Sequence, residues 1–192
     1  MRRPLLLALA VSGCVAAGAD ALSIELRTTL VSTDARGKAA NGASSRPSLT
    51  PGGTMVAFDS AATNLVANDA NGAVRDVFVR DLTTGRTELV SEGPDGAAGD
   101  GPSETPVIAG RAAAVVFSSR ATNLVAGDSN TARDVFVRTG GAPVVRASVR
   151  SDGGQANGPS YEPDVSRDGK QIVFTSTANN LGEGDINGVE DV

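Results

Sequence analysis

NLVANDANGAVRDVFVRD, Asn64 to Asp81, returns as NLVAGDSNTARDVFVRT from Asn123 to Thr139, and again as NLGEGDINGVEDV from Asn180 to Val192. The copying extends beyond these stretches. Pro47, Pro106 and Pro163 recur at intervals of 59 and 57 residues, as do Phe58, Phe117 and Phe174. Asp76, Asp134 and Asp191 follow at 58 and 57, a one-residue slip in the first loop. Landmarks of such different chemistry keep one period only if the chain repeats a structural unit.

Each unit carries four strand-like runs. The first holds the Pro landmark: Arg46 to Leu49, Thr105 to Ile108, Glu162 to Val165. The second is apolar and β-branched: MVAF at 55–58, AVVF at 114–117, QIVF at 171–174. DVFVR at 76–80 and 134–138 is the third, represented in the last copy by Asp191-Val192. RTELVS at 86–91 and VVRASV at 144–149 are the fourth. Thr83-Thr84-Gly85 and Arg167-Asp168-Gly169 read as hairpin turns. Second and third runs apolar on both faces suit a sheet sandwiched between neighbours.

These features predict an all-β chain, a β-propeller of four-stranded antiparallel blades with a period of about 58 residues, over a β-sandwich of ordinary hairpins. The expected layout is an outer strand at 22–33, blades at 45–92 and 103–150, and an incomplete blade at 160–192. IELRTTLVS at 24–32 aligns with the fourth runs and lacks the first three of its own unit. Rings need about four to eight blades. Fewer than three are present, so either the sequence continues elsewhere or copies self-associate to complete the ring.

Composition agrees. The 192 residues are 40% hydrophobic and 3% aromatic, with 23 Gly, which favours short strands and turns over helices. A net charge of −5 without a basic cluster argues against nucleic acid as partner. The absence of His excludes Ser-His-Asp and Cys-His nucleophilic systems and His-bound zinc.

The segment MRRPLLLALAVSGCVAAGADA has the order of a secretory signal: Arg2 and Arg3, an apolar run, then small residues. Its run is too short and interrupted for a membrane span, so no transmembrane span is expected in the mature chain. Cleavage after Ala19 or Ala21 gives a signal peptide of about 1–21. Val-Ser-Gly-Cys at 11–14 offers a rival, a lipobox that would lipidate Cys14, the only cysteine. Both place the mature chain outside the cytoplasm, periplasmic, secreted or lipid-anchored.

The pattern SxxPxxSxDGxxxVFxSxAxNLxxxDxNGxxDVFVRD, best matched by PDVSRDGKQIVFTSTANNLGEGDINGVEDV at 163–192, resembles the TolB-like, WD-repeat-like β-propeller repeats of secreted bacterial proteins. The resemblance covers about residues 24–192. It implies a ring usually of six blades and a binding or scaffolding role. The second copy departs from it at Ala109-Gly110-Arg111-Ala112, where the pattern has an Asp-Gly turn, and at Thr131, where it has Gly.

The repeated loop has two readings. Asp69, Asn71 and Asp76, then Asp128, Asn130 and Asp134, then Glu183, Asp185, Asn187 and Asp191 set oxygens at alternating positions of a tight turn. Loops of this type supply oxygens to calcium, and the third copy fits best, since Ala67 and Ala126 replace the first acid elsewhere. Equally, Asp and Asn cap turns with their own side chains, and Asn-Gly suits positive φ. Calcium is the one cofactor suggested. Asn64, Asn123 and Asn180 are further candidate ligands. Arg75 and Arg133 precede Asp76 and Asp134 as candidate exposed ion pairs, worth ~0–1 kcal/mol each.

Positions that differ between copies are free to specialise. Arg46, Glu104, Tyr161 and Glu162, beside the Pro landmarks, form a candidate ligand site at the mouth of the ring's channel. The expected activity is non-enzymatic binding of protein, peptide or glycan at the cell envelope. The alternative is a piece of a carbohydrate-active or other hydrolytic enzyme working through carboxylates such as Glu104 and Glu162.

Overall fold

A computed structural model describes residues 7–12, 25–110, 114–185 and 187–192. Its strands are β1 (Leu7–Ser12), β2 (Glu25–Leu30), β3 (Ser44–Leu49), β4 (Met55–Ser60), β5 (Asp76–Asp81), β6 (Thr87–Leu89), β7 (Ser103–Ile108), β8 (Ala114–Ser119), β9 (Asp134–Thr139), β10 (Val145–Arg146), β11 (Ser160–Val165) and β12 (Ile172–Ser176). The chain is all-β, and among the described residues there is no helix, so none long and apolar enough to cross a membrane.

Strands β3-β4-β5-β6 and β7-β8-β9-β10 form two four-stranded antiparallel meanders in sequence order. The third copy pairs β11 with β12, and Asp191 bridges Ser176 where its third strand begins. In β4 and β8 the apolar residues are buried on both faces, as their sequence lacks a polar alternation. One face of the first sheet (Ala57, Val77, Val79, Val90) packs on Val115, Phe117, Leu124 and Phe136 of the second. The opposite face (Val56, Phe58, Phe78, Leu89) closes on Val31, just after β2. Phe58 stacks on Phe78, and Phe117 on Phe136, at the same 5.8 Å and 27°. The second sheet in turn receives β11 against β7 and β8.

The fourth strands are shorter than their sequence runs. The Val90 and Ser91 amides both point at the Val77 carbonyl, at 2.8 and 3.4 Å, while the Val77 amide donates to the Ser91 hydroxyl. Ser148 repeats this with Val135. A side chain replaces the backbone acceptor, and the ladder stops.

Each linker back to the next first strand is clamped in the same way. Asn64, Asn123 and Asn180 accept from the amides of Asn41, Asp100 and Asn157 and donate to the carbonyls of Ala39, Ala98 and Gln155. Gly42 follows Asn41 because any Cβ there would lie 2.2 Å from the Ala61 oxygen.

One element departs from the sequence reading. Leu7–Ser12, inside the stretch read as a leader, pairs along its whole length with β2. Among the described residues β2 pairs with this apolar run alone, which meets its open row of amides and carbonyls. Residues 13–24, with Cys14 and both cleavage positions, lie outside the described residues, as do Arg111 and Ala112 of the divergent turn.

Candidate functional site

Every first strand is broken at the same place. The β3–β4, β7–β8 and β11–β12 registers shift between Ser45 and Ser48, Glu104 and Val107, and Tyr161 and Asp164. The residue before each Pro sits in the left-handed region: Arg46 at φ 50°, Thr105 at 52°, Glu162 at 50°. Proline has no amide to give the ladder, which suits a bulge. A non-glycine residue held left-handed costs ~1–2 kcal/mol. Three copies carry that cost, and each presents a different side chain from the strained position.

Around the first two bulges lies an ion network. Asp59, fully buried, accepts from Ser45 Oγ at 2.7 Å and from Arg46 Nη1 at 2.9 Å, and also pairs with Arg75 Nη1. Glu104 of the second sheet reaches Arg46 at 3.6 Å, Arg75 at 3.8 Å and Arg133 at 3.2 Å, so it joins both repeats. The hydrogen bond to Asp59 holds the Arg46 guanidinium protonated more firmly than usual, and its side chain is still 45% exposed. In the third copy the chemistry reverses. Glu190 stands where Arg75 and Arg133 stand, and its carboxylate beside Tyr161 pushes that phenol upward.

The structure thus brings Arg46 and Glu104 together, and sets Tyr161 with Glu190 rather than with them. Asp59 and Glu190 escaped sequence reading, and Arg75 and Arg133 were read only as partners of the Asp that follows each. The signal was present: Arg, Arg and Glu at one repeat position is the same variation between copies that singled out Arg46. The expected Arg75–Asp76 and Arg133–Asp134 pairs are replaced by these contacts. Neighbours on a strand point to opposite faces. Asp76 and Asp134 turn inward to accept from the Ser91 and Ser148 hydroxyls at 2.7 and 2.6 Å.

The loop acids form the second constellation. Among the described residues no three His, Cys, Asp or Glu side chains converge; the acids come as pairs. In the second repeat Asp128 accepts from Gln155 Nε2 at 2.9 Å. Arg146 lies 3.3 Å from Asp128 and 3.8 Å from Asp134, a cation between two carboxylates. In the first repeat Asp69 is 7% exposed, and among the described residues neither of its carboxylate oxygens has a hydrogen-bond partner. Asp76 accepts from Asn71 Nδ2 at 2.6 Å, and Asn71 Oδ1 is buried without a partner.

Burial pushes Asp69 up to about 6. It does the same to Asp76, also to about 6, against hydrogen bonds from Ser91 and Asn71. Burial raises Asp134 as well, opposed by Ser148 and Arg146. In the third repeat Glu183, Asp185, Asn187 and Asp191 line one cleft of about 670 Å³ against Val173 and Phe174. There Asn187 Oδ1 caps its own turn by accepting from Val189 N at 3.0 Å, and Glu183, Asn187 and Asp191 are exposed.

The loop makes its turn with its own residues, and in the second repeat its acids hold the Arg146 guanidinium. Gly72 and Gly188 have φ 81° and 66°, and Thr131 is forced to 56° in the same role. Asn64, Asn123 and Asn180 belong to the linker clamp described above. In comparisons with known proteins, no family model matches the chain and no curated protein matches it.

Proposed function

We propose that the chain is a non-enzymatic binding and scaffolding module of the extracytoplasmic space, its sheets being successive blades of a β-propeller of the TolB-like, WD-repeat-like kind. The leader-like N-terminus supports export, with Cys14 as a lipid anchor in the variant reading. The consecutive stacking of meanders, with β7 against β3 and β4 and β11 against β7 and β8, supports the blade reading.

The observation that carries the function is the thrice-repeated strained bulge. Its backbone is the same in all copies while the side chain changes from Arg46 to Thr105 to Glu162. Strain kept at a variable position marks a presenting surface more readily than a packing device. The surface runs from guanidinium-rich (Arg46, Arg75, Arg133) to acidic (Glu162, Glu190). It suits a polar partner with groups of both charges, a protein segment, peptide or glycan at the cell envelope. Glu104 is engaged by three guanidinium groups as an ion-pairing residue, which favours binding over the hydrolytic alternative.

The test is co-sedimentation of the purified mature chain with cell-wall glycan, and its cross-linking to envelope proteins, compared with the Arg46→Ala, Glu162→Ala double variant. A retained component, lost from the folded variant, with no release of sugar, is expected. Equal retention by both, or glycan cleavage abolished in Glu104→Gln, would overturn the reading.

A further inference from the structure

We propose that the first repeat binds a calcium ion among Asp69, Asn71 and Asp76, in the place that the Arg146 guanidinium fills in the second repeat. The argument comes from comparing two copies of one loop. Their acids correspond: Asp69 to Asp128, Asn71 to Asn130, Asp76 to Asp134. Both asparagines donate to a carbonyl of the following linker, Gly99 at 2.8 Å and Ala156 at 2.9 Å. Ser91 and Ser148 hold Asp76 and Asp134 alike.

What differs is the cation. Phe78 faces Leu89 across the strands, and the corresponding Phe136 faces Arg146. Ala98 bridges Glu92, and the corresponding Gln155 bridges Val149. The second repeat therefore gives its acid pair a guanidinium and an amide. The first offers Leu89 and Ala98, an apolar wall, and keeps both acids.

Two carboxylates buried without any positive partner are among the costliest arrangements in a protein. Asp69 is 7% exposed, and among the described residues both its oxygens are free of hydrogen bonds and Asn71 adds a third unpartnered oxygen. The donors are all hard oxygens, carboxylate and amide, with no nitrogen or sulfur. That set selects calcium over softer metals, and its irregular loop suits calcium's flexible coordination better than magnesium's strict octahedron. Water and backbone carbonyls would complete the shell. The third repeat has one such orphan, Asp185 Oδ1, but its other candidate ligands face solvent. The best-enclosed site is thus the first, although the third has the fuller motif. This site is independent of the envelope-binding surface, and either reading can fail alone.

Calorimetric titration of the mature chain with calcium chloride, and thermal melting with calcium or a chelator, test it. One binding event and a calcium-dependent rise in Tm are expected. Asp69→Asn should weaken binding at least tenfold, and Asp185→Ala should leave it in place. Leu89→Arg, which copies the second repeat, should abolish the calcium dependence of melting. Arg146→Leu should add a second calcium-dependent step. Because Leu89→Arg disturbs a packed position, Arg146→Leu and Asp69→Asn decide the matter if it does not fold. Absence of calcium heat, heat unchanged in Asp69→Asn, or equal stabilisation by magnesium would overturn the proposal.

Discussion

Thr131 shows how much of this chain is decided by single residues. The loop needs a left-handed backbone after its Asn; Gly72 and Gly188 supply it freely, while Thr131 reaches φ 56° with a branched side chain. Thr131→Gly should relieve ~1 kcal/mol, raising the denaturation midpoint without altering the m-value. The sequence flagged this position by its departure from the pattern, and the structure keeps the turn and accepts the strain. Asp69 and Asp76 make a prediction of opposite character. Their folded values of about 6 lie above the ordinary 3.8. Between those values the folded state holds more protons than the unfolded one, so stability falls as pH rises. In chelator, chemical denaturation should therefore show the chain losing stability from pH 4 to pH 6.5. The two carboxyls are coupled and titrate as a pair. Asp34, Asp81, Asp100 and Asp168 are shifted downward and act below this window. A profile that rises or stays flat over the window would contradict the burial of the pair.

At the scale of elements, strand identity was legible and strand endings were not. Apolar β-branched runs located β4, β5, β8, β9 and β12 to within a residue or two. The fourth strands stopped early because Ser91 and Ser148 take the ladder's place with their hydroxyls, a substitution of side chain for backbone that no run of hydrophobicity encodes. Ser91 donates to buried Asp76 and accepts from the Val77 amide. Ser91→Ala should cost ~2–3 kcal/mol, since it leaves a buried amide and a buried carboxylate each short of a partner. The role of the third strand's arginine was also hidden. Arg138 donates to the Leu89 carbonyl at 2.6 Å and pairs with Glu92 at 2.6 Å, stitching the second sheet to the first. Charge-assisted bonds of this kind are worth ~1.5–3 kcal/mol. Arg138→Ala should lower the urea midpoint accordingly, whereas Arg86→Ala, whose partner Glu88 is itself half exposed, should not. The bulge before each proline belongs to the same class. The sequence reading ran the first strand straight through each proline, and only coordinates show the bulge there and the left-handed residue before it.

Across the whole molecule the repeat fixes which positions are equivalent, and their burial then depends on where in the stack they fall. Ala57, Val116 and Val173 occupy one position of the second strand. The first two are fully buried, and Val173 is 54% exposed. Ile108 and Leu49 share another position, at 5% and 52%. Identical chemistry is therefore core in the middle of the stack and surface at its two flanks, which periodicity in the sequence could not distinguish. Removing the Val116 methyls should cost ~2 kcal/mol, while Val173→Ala should fall within ~0.5 kcal/mol. Denaturant curves of the two variants measure that difference directly. The exposed flanks also carry the apolar character of an interface, because each matches a face that is buried one repeat away. Under the propeller proposal these flanks adhere to further blades, and copies of this chain offer each other matching ones. Sedimentation of the purified chain should show concentration-dependent association, and Val173→Lys should shift it toward monomer while leaving the melt unchanged. A monomer at all concentrations, with Val116→Ala and Val173→Ala equally costly, would mean that the stacking of these sheets does not continue beyond the flanks.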